Sequence, residues 1–323
     1  MTPPPDVSVV VATYNRADQL ERLLAGLRAQ THPAAERFEV VVVDDLSGDR
    51  TPDVLQRERE AGNLSLSVIR RTRRGGPAEA RDEGWRASRA GLIAFTDDDC
   101  VPTPEWIAAG LEAAAKHPGA ILQGRTEADP AGPDPIGPFS RTVQVTGPDP
   151  AYQTCNIFYP RSLLERVGGF DTEAFDRSPG GEDSDLAWRA IGTGAKTVFV
   201  DGALVHHAVN DLGPIGKLRV AARWTTPMQC YVRHPELRRA HFVYGFFWKR
   251  THLWLASALL ALTLRGRWRM LSGWLMHRYL WSLYARGKIE GGGPLLAPYF
   301  VLYDLVELFA VARAAVRYRK LML

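Results

Sequence analysis

The chain has 323 residues, of which 46% are hydrophobic and 24% are charged, an ordinary composition for a folded protein. The net charge of +4 conceals an asymmetry, because residues 1–210 carry 22 Lys and Arg against 31 Asp and Glu, whereas residues 211–323 carry 18 against 5. Three widely spaced cysteines exclude a disulfide framework and a zinc-type spacing, and favour a reducing, cytoplasmic compartment. No nucleic-acid-binding module is recognisable, so no nucleic-acid partner is expected.

The first 125 residues alternate predicted strands and helices. Strands rich in β-branched residues are predicted at 7–12, 38–43, 64–69, 91–96 and 120–124. Helices are predicted at 18–30, 77–90 and 104–116, the first from leucines at helical spacing. Short connections between such units predict an α/β fold with a mostly parallel sheet flanked by helices.

Composition divides the rest of the chain. The stretch 128–150 is rich in Pro and Gly and is predicted to be an irregular loop or flap. Beyond residue 242 the chain is rich in Trp, Leu, Arg and Tyr, which predicts helices. We therefore expect a catalytic domain over 1–210 and a basic, helical region over 211–323.

Polar residues follow three of the predicted strands. Thr13 ends the first strand, Asp44 and Asp45 end the second, and Asp97-Asp98-Asp99 follows the fourth. The carboxyl ends of parallel strands meet at one edge of a sheet, where ligands bind. Alternate carboxylates there can reach one divalent cation, which can bridge a diphosphate. An acidic surface turn is the alternative for the three aspartates, and a simple Asx-type turn is the alternative to nucleobase binding for Asp44.

Two further segments carry chemically capable side chains. Glu182 and Asp183 follow a Gly-Gly turn at the start of a predicted helix, where an acid can complement the helix dipole or act as a general base. His206 and His207 end a strand-like run, where a histidine is either structural or a metal ligand. Dinucleotide-binding, phosphate-loop and serine-hydrolase motifs are missing, which excludes those classes of site.

Taken in order, five segments resemble glycosyltransferase family 2, the inverting enzymes with a GT-A fold. They are VSVVVATYNRADQLERLLAGL, VVVVDDLSGD, GGPAEARDEGWRAS, LIAFTDDDCVPTPEWI and VGGFDTEAFDRSPGGEDSDLAWRA, and together they span about residues 6–210. The resemblance implies donor binding by Thr13, Asp44, Arg81, Asp97 and Asp98, metal binding by Asp97, Asp99 and His206 (with His207 competing), and catalysis by Asp183 with Glu182 beside it.

The same resemblance implies the reaction. A nucleoside-diphosphate sugar would be the donor, Mn²⁺ or Mg²⁺ the cofactor, and a hydroxyl of a glycan or lipid-linked acceptor the nucleophile. The QxxRW motif of processive members is absent, so transfer of a single sugar is expected. A sugar-1-phosphate nucleotidyltransferase and a non-enzymatic, membrane-associated scaffold are the alternatives.

The basic C-terminal region predicts a separate partner. Leu and Trp alternate with Arg and Lys between residues 246 and 286, as in helices that lie at an anionic membrane surface. The run 294–316 is long enough to span a bilayer, but Asp304 and Glu307 make spanning costly. Peripheral attachment to the cytoplasmic face of a membrane is therefore expected, with packing against the catalytic domain or formation of a homo-oligomer as the alternatives.

Overall fold

The computed structural model describes residues 4–31, 37–134, 136–175, 180–263, 265–266, 269–289 and 293–323. Residues 176–179 of the predicted acceptor-side segment and Trp268 of the Trp-rich region lie outside the described residues. The chain divides into two compact units, one of Met1–Pro130 with Thr142–Ala208 and the other of Ala131–Arg141 with Val209–Leu323. The second unit thus includes an eleven-residue excursion from the middle of the chain, which the sequence interpretation placed in the first domain.

The first unit is built on an eight-stranded sheet flanked by helices. Its strands are β1 (Val7–Thr13), β2 (Phe38–Asp44), β3 (Leu66–Arg70), β4 (Leu92–Thr96), β5 (Cys100–Pro102), β6 (Ile121–Ala128), β8 (Asn156–Pro160) and β9 (Thr197–His207). Its helices are α1 (Ala17–Arg28), α2 (Thr51–Ala61), α3 (Pro77–Ala87), α4 (Trp106–Lys116), α5 (Arg161–Val167) and α6 (Glu182–Gly192). The strand order is β3-β2-β1-β4-β8-β6-β9-β5. This arrangement confirms the predicted α/β fold class.

Parallel pairing aligns the functional strand ends. β1 pairs with β2 and β4, and the register places Thr13 opposite Asp44. Both strands are almost wholly buried because helices cover both faces of the sheet, which explains their unbroken valine runs. Helix α3 lies very close to β1, since a Cβ on Gly84 would come within 2.6 Å of Val10 Cγ1. The carboxyl ends of β1, β2 and β4 therefore meet at one edge of a rigid sheet.

The short strand β5 was absent from the sequence prediction. It pairs antiparallel with β9, so that Cys100 lies opposite His207 and Val101 opposite His206. The Ala208 N–H also donates a 2.9 Å hydrogen bond to the carbonyl of Asp99. This pairing joins the end of β9 to the acidic segment that follows β4. The predicted irregular stretch 128–150 is irregular in its described part, apart from β7 (Ser140–Arg141) and an isolated bridge between Thr126 and Val145.

The second unit is mainly helical. It contains α7 (Gly213–Ala222), α8 (Met228–Arg233), α9 (Pro235–His241), α10 (Arg250–Ala261), α11 (Arg269–Ile289) and α12 (Ala297–Arg317), and the short β10 (Asn210–Asp211) pairs with β7. Its core includes Leu255, Tyr279, Leu283 and Phe300. The segment Pro294–Arg317 has the length and composition to cross a membrane, with a mean hydropathy of 1.7 over its best window, of which 33% is buried.

Candidate active site

The loops that follow β1 and β2 are held together by side-chain hydrogen bonds. The Asn15 N–H donates to Ser47 Oγ over 2.9 Å, and the Gly48 N–H donates to Asn15 Oδ1 over 2.8 Å. Asn15 and Leu46 have positive φ angles of 53° and 68°, a conformation that is strained for leucine. The Leu46 side chain is nevertheless 42% exposed. The backbone at this edge is therefore fixed in a sparsely populated conformation by its neighbours.

Asp44 and Asp45 differ sharply in their partners. Asp44 is buried, and its Oδ1 accepts a 2.8 Å hydrogen bond from the Ser47 N–H. Its Oδ2 has no hydrogen-bond donor within the described part of the chain, although Arg70 Nε lies 3.8 Å away. A buried acceptor without a donor is costly unless a ligand supplies one.

Asp45 instead maintains the loop before α3. Its carboxylate accepts hydrogen bonds from the N–H groups of Gly75 and Gly76, at 2.9 and 2.8 Å, and from Arg71 Nη1 at 2.7 Å. Gly76 has a φ of +87°, and a Cβ on Gly75 would collide with the side chains of Glu79 and Arg71. Asp45 is thus a structural residue, whereas Asp44 keeps an oxygen for a ligand.

The three aspartates after β4 have distinct environments. Arg81 Nη2 donates to Asp97 over 2.6 Å, and although burial opposes ionisation, Arg81 and His207 hold the pKa of Asp97 below its usual range. Asp98 accepts hydrogen bonds from Thr13 Oγ1 at 2.8 Å and Arg16 Nη1 at 3.2 Å. Burial, only partly offset by Arg16, raises the pKa of Asp98 to about 7. The Thr13 hydroxyl therefore binds Asp98, an interaction that the sequence interpretation did not include.

Asp99 lies beside His207, the last residue of β9. His207 Nε2 is 3.6 Å from Asp99 Oδ1, and Arg16 also forms an ion pair with Asp99. His207 Nδ1 lies 2.9 Å from the carbonyl oxygen of Ala208, which can only accept, so Nδ1 is the donor there and Nε2 is the ring nitrogen nearest Asp99. Cys100 is adjacent, but burial raises the pKa of its thiol well above the usual value, so it stays protonated.

The structure distinguishes between the two histidines. His207 lies opposite Cys100 in the β5–β9 ladder, whereas His206 lies opposite Val101. Successive side chains of a strand point to opposite faces of the sheet, so only one of the two can be directed at Asp99. The resemblance favoured His206 with His207 competing, and of the two it is His207 that lies beside Asp99.

Arg81 connects the strand-end acids to the start of α6. Its Nη1 donates to Glu182 over 2.9 Å while its Nη2 donates to Asp97, and its side chain is only 10% exposed. The other carboxylate oxygen of Glu182 accepts a 2.7 Å hydrogen bond from the Gly180 N–H. Each oxygen of Glu182 thus accepts one hydrogen bond within the protein, and Arg81 links Glu182 to Asp97.

Asp183, by contrast, keeps accepting capacity. Its Oδ1 accepts a 2.8 Å hydrogen bond from the Ser184 N–H, and Oδ2 has no hydrogen bond to the described residues. Burial and the neighbouring charge of Glu182 raise the pKa of Asp183 to about 7. A carboxylate with that pKa is suited to taking a proton from a hydroxyl near neutral pH.

Sequence reasoning missed Arg16. Its guanidinium contacts both Asp98 and Asp99, and burial opposes its charge while these acids raise its pKa. The available signal was its position immediately after Thr13-Tyr14-Asn15 at the end of a buried strand. An arginine there supplies positive charge to an otherwise acidic edge.

The carboxyl edge of the sheet thus brings together Asp44, the three aspartates after β4 and the start of α6. Residues 8–171 match the family model described as Glycosyl transferase family 2, and the chain belongs to that family. Its fold is GT-A. The structure aligns with mannosyltransferase PcManGT from Pyrobaculum calidifontis, which was solved with GDP-Man and Mn²⁺. The alignment covers 98% of this chain and 88% of that one, with a TM-score of 0.65 and 22% identity. It also aligns with residues 1–349 of S. aureus TarS, solved with UDP-GlcNAc, over 98% and 92% of the two chains, with a TM-score of 0.55 and 18% identity.

Two other glycosyltransferases are similar to this chain in sequence. Glycosyltransferase AglE of Haloferax volcanii is 25% identical over 219 residues, which are 66% of this chain and 70% of AglE. Validoxylamine A glucosyltransferase of Streptomyces hygroscopicus is 32% identical over 220 residues, which are 57% of this chain. The matched region spans about half the length of the latter protein, 51%.

Proposed function

We propose that this glycosyltransferase moves one sugar from a nucleoside-diphosphate sugar to an acceptor hydroxyl, with a divalent metal ion and with inversion at the anomeric carbon. The observation that carries the proposal is the meeting of Asp99 with His207 on one side of the edge and of Arg81 with Glu182 on the other. These contacts join four separate segments of the chain, which carry the proposed metal ligands Asp99 and His207 and the proposed base Asp183, next to Glu182.

Asp44 is the residue proposed to recognise the nucleobase. Its Oδ2 has no hydrogen-bond donor among the described residues, and an N–H of uracil or guanine can supply one. The solved relatives contain GDP-Man in one case and UDP-GlcNAc in the other, and an aspartate acceptor serves either base. Selection between them would then depend on the surrounding loop, which contains the strained Leu46.

Asp99 and His207 are the residues proposed to hold the metal, with Asp97 assisting. A carboxylate oxygen and an imidazole nitrogen 3.6 Å apart suit Mn²⁺, whereas Mg²⁺ prefers all-oxygen sites. The ion, when bound, would neutralise charge on the departing diphosphate. Arg16 contacts Asp98 Oδ1 and Asp99 Oδ2, whereas the Asp99 oxygen beside His207 is Oδ1.

Asp183 is the residue proposed to act as the base. It would remove the proton of the acceptor hydroxyl as that oxygen attacks the anomeric carbon opposite the leaving diphosphate. A single displacement of this kind inverts the anomeric centre without a covalent sugar–enzyme intermediate. Glu182 is less suited to the role, because Arg81 holds one of its oxygens in an ion pair and the Gly180 N–H donates to the other. Arg81 would instead keep the base segment in register with the metal-binding acids.

A glycan or lipid-linked acceptor of the cell envelope is proposed because of the named relatives. One of them is the poly(ribitol-phosphate) β-N-acetylglucosaminyltransferase TarS, which is 38% identical over 92 residues. The three buried cysteines form no disulfide with one another, which is consistent with an enzyme that works in the cytoplasm. The nucleotidyltransferase alternative is disfavoured, since the family match covers the strand-end motifs.

Hydrolysis of a panel of nucleotide sugars tests the proposed function. With Mn²⁺ and no acceptor, we expect slow release of nucleoside diphosphate from a subset of UDP-, GDP- and dTDP-sugars, because water can replace the acceptor hydroxyl. Release of pyrophosphate from a nucleoside triphosphate and a sugar phosphate would instead identify a nucleotidyltransferase. No turnover and no metal-dependent thermal stabilisation by any donor would leave only the scaffold hypothesis.

A further inference from the structure

The α10–α11 hairpin carries a cluster of large apolar side chains that the protein does not bury. They lie on the last turn of α10, just after it, and on the first turns of α11, and we name them the hairpin-tip face: Leu259, Leu260, Leu262, Met270, Leu271 and Trp274. Leu260 is 71% exposed, Met270 is 80% exposed and Trp274 is 54% exposed. We propose that this face inserts into the headgroup region of an anionic lipid bilayer.

The exposure of these residues is not a consequence of missing core packing. The adjacent Ala258, Ala261 and Leu275 are buried against one another, and Leu255 and Tyr279 continue the same inner seam along the hairpin. The hairpin therefore has a complete inner face and a second apolar surface at its tip. A contiguous apolar surface of this kind marks an interaction site rather than a random scatter of hydrophobic residues.

Charge indicates an anionic occupant. Residues 242–323 contain 12 Lys and Arg against 3 Asp and Glu. Two of the three acids, Asp304 and Glu307, are fully buried inside the helical unit, so they do not oppose an anionic surface. Glu307 accepts hydrogen bonds of 2.7 and 2.8 Å from Lys249 Nζ, and Asp304 accepts one of 3.1 Å from the Tyr279 hydroxyl. The exposed charge of the described C-terminal helices is consequently positive.

The same buried acids bear on how α12 is used. The sequence interpretation took Asp304 and Glu307 as an obstacle to spanning of the bilayer by this segment. Both acids project into the bundle, where Lys249, Arg286 and Tyr279 compensate them. Helix α12 thus acts as the central helix of the unit, with Phe300, Tyr303, Ala310 and Val311 buried. Surface attachment through the hairpin tip leaves this bundle intact, whereas spanning by α12 would require it to open.

A second copy of the chain is a less suitable occupant. A two-fold interface would bring the same patch of each copy together, and with it two strongly basic regions. An anionic leaflet instead combines attraction for Arg and Lys with a place for Leu and Trp at headgroup depth. If the proposed function holds, attachment of this kind would place the enzyme beside a lipid-linked acceptor.

Vesicle flotation of the full chain, without donor or metal, tests the proposal independently of activity. We expect the protein to co-float with phosphatidylglycerol-containing vesicles and to float less with neutral phosphatidylcholine vesicles or in 0.5 M salt. The triple variant Leu260→Ser, Met270→Ser, Trp274→Ser should bind the anionic vesicles on the order of tenfold more weakly, because it removes the inserted side chains.

The matched control replaces equally exposed residues elsewhere in the unit: Leu295→Ser, Phe309→Ser and Val316→Ser. It should float like the wild type. Circular dichroism should show that both variants remain folded, since every replaced side chain is more than half exposed and Trp274 loses only an edge contact with Trp254. Equal flotation of wild type and the hairpin variant would overturn the proposal. A salt-resistant dimer in light scattering that the hairpin variant abolishes would also overturn it. Retention of the protein on vesicles after carbonate extraction would indicate spanning and would overturn it as well.

Discussion

Replacing Asp183 by Asn is expected to lower turnover by roughly 10²–10⁴-fold, the usual contribution of a general base. The substitution keeps the shape of the side chain and the hydrogen bond from the Ser184 N–H to its oxygen, but removes the ability to take a proton. Donor affinity should change little, because the proposed role is toward the acceptor. Steady-state kinetics with a nucleotide sugar, together with calorimetric donor binding, measure both quantities.

The pH dependence provides the signature of this role. Because burial and Glu182 raise the pKa of Asp183 to about 7, the reactive carboxylate is lost as the pH falls through that value. Wild-type kcat should therefore decline below about pH 7, and this limb should be missing from the residual activity of Asp183→Asn. The adjacent control is Glu182→Gln, which should be less damaging. If Glu182→Gln lowered kcat far more than Asp183→Asn does, the assignment of Asp183 as the base would be wrong.

Replacing Asp99 by Asn is expected to remove most of the activity and most of the Mn²⁺ binding. Asn keeps the shape of the side chain, and Arg16 retains its ion pair with Asp98, so the variant should stay folded. His207→Ala should weaken Mn²⁺ binding by at least the roughly 10–100-fold that loss of a ligand's hydrogen-bonding partner costs, since it deletes a ligand of the proposed site. Electron paramagnetic resonance titration of Mn²⁺, without donor, separates binding from catalysis.

The neighbouring histidine offers a matched control. His206→Ala removes the same side chain one position earlier on β9, where the strand register directs it away from Asp99. It should bind Mn²⁺ like the wild type. A larger loss with His206→Ala than with His207→Ala would reverse the assignment, and full turnover in excess chelator would exclude a metal-assisted reaction altogether.

The parts of the site that depend on local sequence patterns, such as the ends of buried strands, were predictable from the sequence. Buried valine strands and short connections predicted the sheet, and the sheet predicted that Thr13, Asp44 and Asp97 would share an edge. The choice between His206 and His207 was not predictable, because it depends on the register of β9 with β5. β5 is only three residues long, too short to show a periodicity, and it exists through its pairing with β9.

Long-range ion pairs account for the other differences. Arg81 donates to Glu182, 101 residues further along the chain, and also to Asp97, and nothing local to these residues indicates the contacts. Arg16 likewise reaches Asp98 and Asp99 from more than 80 residues away. Such pairs form only when the sheet has brought the segments together, so composition and spacing do not reveal them.

The anomeric configuration of the released sugar tests the central mechanism most directly. Proton NMR can follow hydrolysis of an accepted α-linked nucleotide sugar at early times, before mutarotation mixes the anomers. A single displacement governed by Asp183 predicts that the β-anomer forms first. First appearance of the α-anomer would show retention and would contradict the proposed mechanism.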